Sequence, residues 1–191
     1  MQTDSELIIE ILNGSQAAME ILVHRHYDSV FAYVFRQIRD YHTASDVTQD
    51  SFIKMMKGLS AYREREKFKS WLFRIAVNCC RDSFRHVSVR TTREVELNAD
   101  FSDCQSNIWD MFCKSPEREH IKDALESLPE LQKEVVLLRF YHDLKLKEIA
   151  GIIGSGEATV KSRLYQALEK LKKRLLAREG ELSESKNRFK S

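Results

Sequence analysis

Apolar side chains recur three or four positions apart along most of this chain. Such spacing buries one face of each segment only if the backbone is α-helical, because a helix stacks i, i+3, i+4 and i+7 whereas a strand sends neighbours to opposite faces. Two prolines and six glycines in 191 residues are too few turn formers for a β-rich fold, and 42% apolar residues supply modest cores. The expected fold is all-α, and the length allows one domain or two small ones.

Residues 5–12 form a short segment ending at Asn13-Gly14, after which Ser15 offers an N-cap to a long helix reaching about Arg39. Its predicted buried row is Val23, Tyr27, Val30, Val34 and Ile38, with Phe31 and Phe35 alongside. After a break at 40–43, a third helix runs from about Ala44 to Leu59. Val47, Phe52, Met56 and Leu59 are expected inward, Asp46, Gln49, Asp50, Ile53 and Lys57 outward, and Gly58 weakens the last turn. A fourth helix, Ser70 to about Arg85, carries Leu72, Ile75, Ala76, Cys79 and Phe84. Residues 87–115 have no clean period and read as a linker.

Periodicity returns from Glu117 through Ile121, Leu125 and Leu128, and Pro129 opens a segment bearing Leu131, Val135, Leu138 and Phe140. The short helix Leu146–Ile153, the turn Gly154-Ser155-Gly156 and a longer helix from Glu157 to Leu176 have the helix-turn-helix layout. In the longer helix Val160, Leu164, Leu168, Leu171 and Leu175 are expected inward. Gly154 can take the left-handed conformation the turn needs, Ala150 allows close approach, and Ser155 can cap the second helix. The predicted organisation is a four-helix unit at 1–86, an acidic linker at 87–115, a second helical unit at 116–178 and an unordered tail at 179–191.

The net charge of +2 conceals blocks of opposite sign: −3 over residues 1–60, +6 over 61–93, −7 over 94–134 and +6 over 135–191. Two basic blocks flanking an acidic one fit two polyanion-facing modules. In the first block Tyr62, Phe68, Trp71 and Phe73 are interleaved with Arg63, Arg65, Lys67, Lys69, Arg74, Arg81 and Arg85. Basic groups can follow phosphates while rings stack on unpaired bases, or the rings can simply be core. In the second, Thr159, Lys161, Ser162, Arg163, Tyr165 and Gln166 offer donors and a ring to phosphates and major-groove base edges. Asp46, Gln49 and Asp50 beside Ile53 suit a protein partner and repel DNA.

Enzymatic chemistry finds no footing in the sequence. His24 and His26 have no third ligand at plausible spacing, no glycine-rich phosphate loop or GxSxG motif occurs, and Cys79, Cys80, Cys104 and Cys113 form no CxxC pair. No cofactor or metal is expected. Uncharged stretches such as Ile75–Cys80 fall far short of the roughly 18 apolar residues a membrane span needs. With an acidic, polar start unlike a signal peptide, the chain is expected to be cytoplasmic and not inserted in a membrane.

Taken together, these residues resemble the extracytoplasmic-function (ECF) group of bacterial RNA polymerase sigma factors in the sigma-70 family, across nearly the whole length. The resemblance rests on Asp46-Val47-Thr48-Gln49-Asp50-Ser51-Phe52, on the run from Phe68 to Asn78 followed by Asp82 and Arg85, and on Leu128-Pro129 leading to Glu148-Ile149-Ala150 and to Thr159 through Leu164. It implies a first unit, region 2, that docks on the polymerase β′ subunit through Asp46, Gln49, Asp50 and Ile53 and opens the minus-ten element. Tyr62 and the loop through Lys69, with Arg63 and Lys67, would receive a flipped non-template base, Asn78 would contact it, Arg74 and Arg81 would lie near the strand, and Trp71 would belong to the same minus-ten site.

The second unit, region 4, would read the minus-thirty-five element through Thr159, Lys161, Ser162, Arg163, Tyr165 and Gln166. The linker would thread the RNA exit path of a core polymerase formed by β and β′, and a dedicated anti-sigma factor would hold the chain inactive. Departures from the family's commoner residues at Lys145, Gly156, Ala158, Gln166 and Leu168 bear on minus-thirty-five preference rather than on fold, and Asp50 for the commoner Glu is a mild change that should keep the β′ contact. A free-standing helix-turn-helix regulator is the alternative, and it would need the second unit alone.

Overall fold

The computed structural model describes residues 2–63, 67–91 and 116–188, of which 86–91, 116–120 and 177–188 are described as backbone only. Among the described residues there are eight α-helices and no strand. They are α1 (Asp4–Leu12), α2 (Gln16–Ile38), α3 (Tyr41–Gly58), α4 (Phe68–Thr91), α5 (Pro116–Glu126), α6 (Glu130–Val136), α7 (Leu146–Ile153) and α8 (Glu157–Arg188). No helix there is long and apolar enough to cross a membrane.

Short polar side chains fix where the first three helices begin. Thr3 Oγ1 accepts from the Glu6 amide, and Glu6 Oε2 accepts from the Thr3 amide at 2.8 Å, a reciprocal pair that closes the first turn of α1. Ser15 Oγ accepts from Ala18 N at 3.2 Å to open α2, with Gly14 before it at φ +95°, a left-handed conformation that glycine adopts without steric cost. Asp40 Oδ1 accepts from Thr43 N at 2.7 Å, which explains why α3 starts at Tyr41 rather than Ala44. The fourth helix also begins earlier than periodicity indicates, at Phe68, and its backbone continues to Thr91. Residues 92–115, the bulk of the expected linker, lie outside the described residues, as do Cys104 and Cys113. The last helix runs on as backbone to Arg188, through most of the segment expected to be an unordered tail; apart from Gly180 that stretch contains no residue that opposes helix strongly.

The buried row of α2 differs from the expected one. Leu22, His26, Val30, Tyr33, Val34 and Gln37 are buried, whereas Tyr27 lies at the surface, with its ring stacked on Phe31 and Phe52. This helix packs against both α3 and α4, so its buried stripe is wide enough to take in polar side chains. His26 Nε2 lies 3.0 Å from Asp4 Oδ2, and Gln37 Nε2 donates to the Tyr33 hydroxyl at 3.1 Å. In α3, Met55 takes the inward place expected for Met56.

The second unit departs from simple helical phase at Leu137–Tyr141, a π-helical turn continuing α6. Its extra residue per turn buries Leu137 and Leu138 together and turns Phe140 and Tyr141 outward. Ile121, Leu131 and Leu168 are likewise exposed against expectation, their inward places taken by Ala124, Val136 and Ala167. A small cluster of Leu125, Leu128, Val136 and Ala167 ties α5 and α6 to α8.

The two units share a core. Leu72, Phe73, Ala76 and Val77 of α4 belong to one apolar cluster with Val135, Leu138, Leu144, Ile149 and Ile153 of the second unit. His142, 5% exposed, sits with its ring 4.5 Å from that of Phe73 and 5.7 Å from that of Tyr33. Burial, reinforced by Arg36 and Lys69, pushes its imidazole down to about 3.

Candidate functional site

Three helix faces carry the residues singled out in the sequence. On α3, Asp46, Gln49, Asp50 and Ile53 lie at i, i+3, i+4 and i+7 and share one side, the first three exposed and Ile53 half-buried at its edge. Behind them Val47, Ser51, Phe52 and Met55 face the core, so the acidic side is held on a rigid support.

The second face lies on α4 and the residue before it. Lys67, Trp71, Arg74, Asn78 and Arg81 fall at alternating steps of four and three, which places them on one stripe. At its N-terminal end is an aromatic cluster: Tyr62 lies 5.1 Å from Trp71 and 5.8 Å from Phe68 between ring centroids, and His26 sits edge-on to Phe68 at 5.2 Å. Phe68 is buried, so it serves as floor, while Tyr62 and Trp71 are half-buried and form the rim. Phe68 and Phe73 are thus core, whereas Tyr62 and Trp71 keep part of their rings exposed. Gly58 packs against the Trp71 indole, since a Cβ there would meet Trp71 Cζ2 at 3.3 Å; its place at a helix end gave the only sequence hint. Arg63 is exposed beside the rim, and Arg65 lies outside the described residues.

The third face is the first part of α8. Gly154 adopts φ +67°, and the Ser155 amide donates to the Ala150 carbonyl at 3.1 Å, which folds the chain from α7 into the turn. Thr159, Lys161, Ser162, Tyr165 and Gln166 are exposed, Tyr165 at 67%, while Arg163 is half-buried and donates to Ser155 Oγ at 3.4 Å. Val160 and Ala167 anchor the opposite side. Lys145 gives α7 no side-chain cap; Glu148 Oε2 instead accepts from the Lys145 amide at 2.7 Å, and that bond holds the Glu148 carboxyl below its usual range.

Several basic side chains of the second face are engaged by the other unit. Arg81 Nη2 lies 2.9 Å from Glu134 Oε2 and 3.5 Å from the Ile153 carbonyl at the end of α7. Lys69 Nζ donates to the His142 carbonyl at 2.7 Å, and Lys67 pairs with Glu148 at 3.1 Å. In the other direction Lys133 Nζ reaches the Gln37 carbonyl at 3.4 Å, and Arg39 pairs with Glu126 at 3.3 Å. The Glu134 side chain is 5% exposed against 30% for Arg81. Burial pushes the Glu134 carboxyl up, and the Arg81 guanidinium pulls it back. Glu134 and His142 belong to no motif; the sequence hint was a charged or polar residue where a core helix and its cap need apolar surface.

Comparison with known proteins agrees with this layout. Residues 22–89 match the family description Sigma-70 region 2, and residues 118–171 match Sigma-70, region 4. The RNA polymerase sigma-H factor of Pseudomonas aeruginosa is 28% identical over 185 residues, covering 91% of this chain and 94% of that protein. The ECF RNA polymerase sigma-E factor of Haemophilus influenzae is 29% identical over 183 residues, covering 91% and 95%. Among solved structures, CnrH in complex with the cytosolic domain of CnrY superposes with a TM-score of 0.67 at 25% identity, covering 91% of this chain and 97% of that one. The sigma factor RpoE of Bartonella quintana, solved with the anti-sigma factor NepR, has a TM-score of 0.66 at 21% identity, covering 82% and 95%, a likeness of fold.

Proposed function

The chain belongs to the sigma-70 family of RNA polymerase sigma factors, in its ECF group, and on that premise we propose that it binds core RNA polymerase and directs promoter recognition and opening. The observation that carries this is the presence of both family regions, in order, on a chain that spans nearly the full length of its relatives. It is a DNA-binding initiation factor rather than an enzyme, and it works in the cytoplasm, where an anti-sigma factor restrains it.

By residue, the exposed α3 face of Asp46, Gln49, Asp50 and Ile53 is the β′ contact, and its negative charge suits a protein surface better than DNA. The rim of Tyr62 and Trp71 receives an unstacked base, with Arg63, Lys67, Lys69, Arg74, Asn78 and Arg81 along the strand. Stacking worth roughly 1–3 kcal/mol per base offsets much of the cost of opening a base pair. The exposed start of α8, with Thr159, Lys161, Ser162, Arg163, Tyr165 and Gln166, enters the major groove of the minus-thirty-five element.

Lys69 and Arg81 are held by the second unit, so the two units must part before these groups meet DNA, whereas Lys67, with its side chain 72% exposed, pairs with Glu148 only at the surface. Core polymerase, by seating the two regions apart, supplies that separation. The weak net charge implies poor duplex binding by the isolated chain, and the occupied Lys69 and Arg81 imply poor binding of an unpaired strand. The test is Tyr62→Ala in the assembled holoenzyme: strand opening is expected to be lost while duplex promoter binding persists. Opening at the wild-type level would overturn the pocket assignment, and duplex binding without any need for core polymerase would favour a free-standing regulator.

A further inference from the structure

Gln166 is the one exposed side chain at the start of α8 that is gripped from behind by a buried residue of another helix. Gln132, on α6 and 8% exposed, donates from Nε2 to Gln166 Oε1 at 3.0 Å. Gln166 Nε2 in turn donates to Ser162 Oγ, one turn earlier, at 3.4 Å. The chain from Gln132 to Gln166 to Ser162 has a direction: each amide nitrogen points toward the groove-facing end and each carbonyl oxygen points inward. The Gln132 Oε1 atom is itself buried and makes no hydrogen bond, so this residue's polar contact is spent on Gln166.

We propose that Gln132 is a positioning residue for minus-thirty-five recognition, fixing the amide of Gln166 so that its N–H side faces the base edge. This rests on Gln166 being a base reader. A free surface glutamine can turn either end of its amide outward and reads both donors and acceptors; one whose oxygen is held inward presents a donor first. In the major groove a donor is matched by guanine O6 or N7, adenine N7 or thymine O4, and is opposed by the cytosine N4 amino group. Gln132 thus biases the contacted position against cytosine without touching DNA. Its neighbours support the geometry, because Ala167, fully buried one residue further along α8, lets α6 approach closely.

The experiment measures promoter binding by the holoenzyme over a set of promoters varied at each minus-thirty-five position, for wild type, Gln166→Ala, Gln132→Leu, Gln132→Glu and the Gln132→Leu/Gln166→Ala pair. Gln166→Ala is expected to erase preference at one position, and Gln132→Leu to weaken it there by roughly threefold to tenfold, with affinity for other substitutions unchanged. The pair should behave like Gln166→Ala alone. Gln132→Glu offers acceptors only, so Gln166 must turn its nitrogen inward and its oxygen outward, and preference should move toward cytosine or adenine. Gln132→Met, which keeps the length and removes the donor, replaces Gln132→Leu if the latter does not fold. A uniform loss across all promoters, or an unchanged preference in Gln132→Leu while Gln166→Ala erases it, would overturn the proposal. Unchanged preference in Gln166→Ala would instead remove the reading on which it rests.

Discussion

His142 shows how one buried ring couples the two units to pH. In the closed arrangement it lies against Tyr33 and Phe73 of the first unit, faced by Arg36 from α2 and Lys69 from α4, and is held neutral with its pKa near about 3. Once the units part, the ring regains an ordinary value near about 6.5. Below that pH the open form takes up a proton that the closed form refuses, so the closed form weakens by up to about 1.4 kcal/mol per pH unit as the pH falls toward 3. Glu134 acts in the opposite sense, because burial raises its pKa and acid relieves its charge in the closed form. A fluorophore pair, one on each unit, is expected to report opening between pH 7 and 5 in the wild type, with the response flattened in His142→Phe. An identical pH response in both would show that His142 is not the coupling group.

At the level of whole helices, α4 has two claimants: its polar stripe fits a DNA strand, and its Arg81 is held by Glu134 of α6 and by the carbonyl end of α7. Burial disfavours that carboxylate more than the guanidinium favours it, so a neutral amide that still accepts from Arg81 strengthens the closed form. Glu134→Gln is therefore expected to lower the affinity of the isolated chain for single-stranded DNA, since apparent affinity scales with the fraction of competent molecules. Fluorescence anisotropy with a labelled oligonucleotide reads this, and an unchanged or higher affinity would contradict it. The helices themselves, the glycine turn and the three candidate faces were legible in the sequence because each is a local pattern of spacing and capping. Periodicity went astray where geometry is set from outside the segment. The π-helical turn shifted the phase of Phe140, α2 packed on two sides at once and buried His26 and Gln37, and the joint core of the two units depends on contacts more than fifty residues apart, such as Arg81 with Glu134. The outward placement of Asp46, Gln49 and Asp50 on α3 was read correctly because, among the described residues, these side chains stay exposed.

As a whole, the molecule is proposed to serve as a connector: α3 toward polymerase, α4 toward a melted strand and α8 toward duplex. Of these, the polymerase contact is the proposal on which the strand contact depends, since seating on core polymerase would part the units and free Lys69 and Arg81 of α4. It also makes the least use of any DNA-like chemistry. The most direct measurement is gel filtration of the full chain with bacterial core RNA polymerase in moderate salt, wild type beside the Asp46→Arg/Asp50→Arg variant. Both aspartates are exposed, so the variant should keep its thermal stability to within about 0.5 kcal/mol for each change. Co-elution of the wild type with core polymerase, lost in the folded variant, is the predicted result; a wild type that fails to associate, or a variant that associates equally well, would contradict the account.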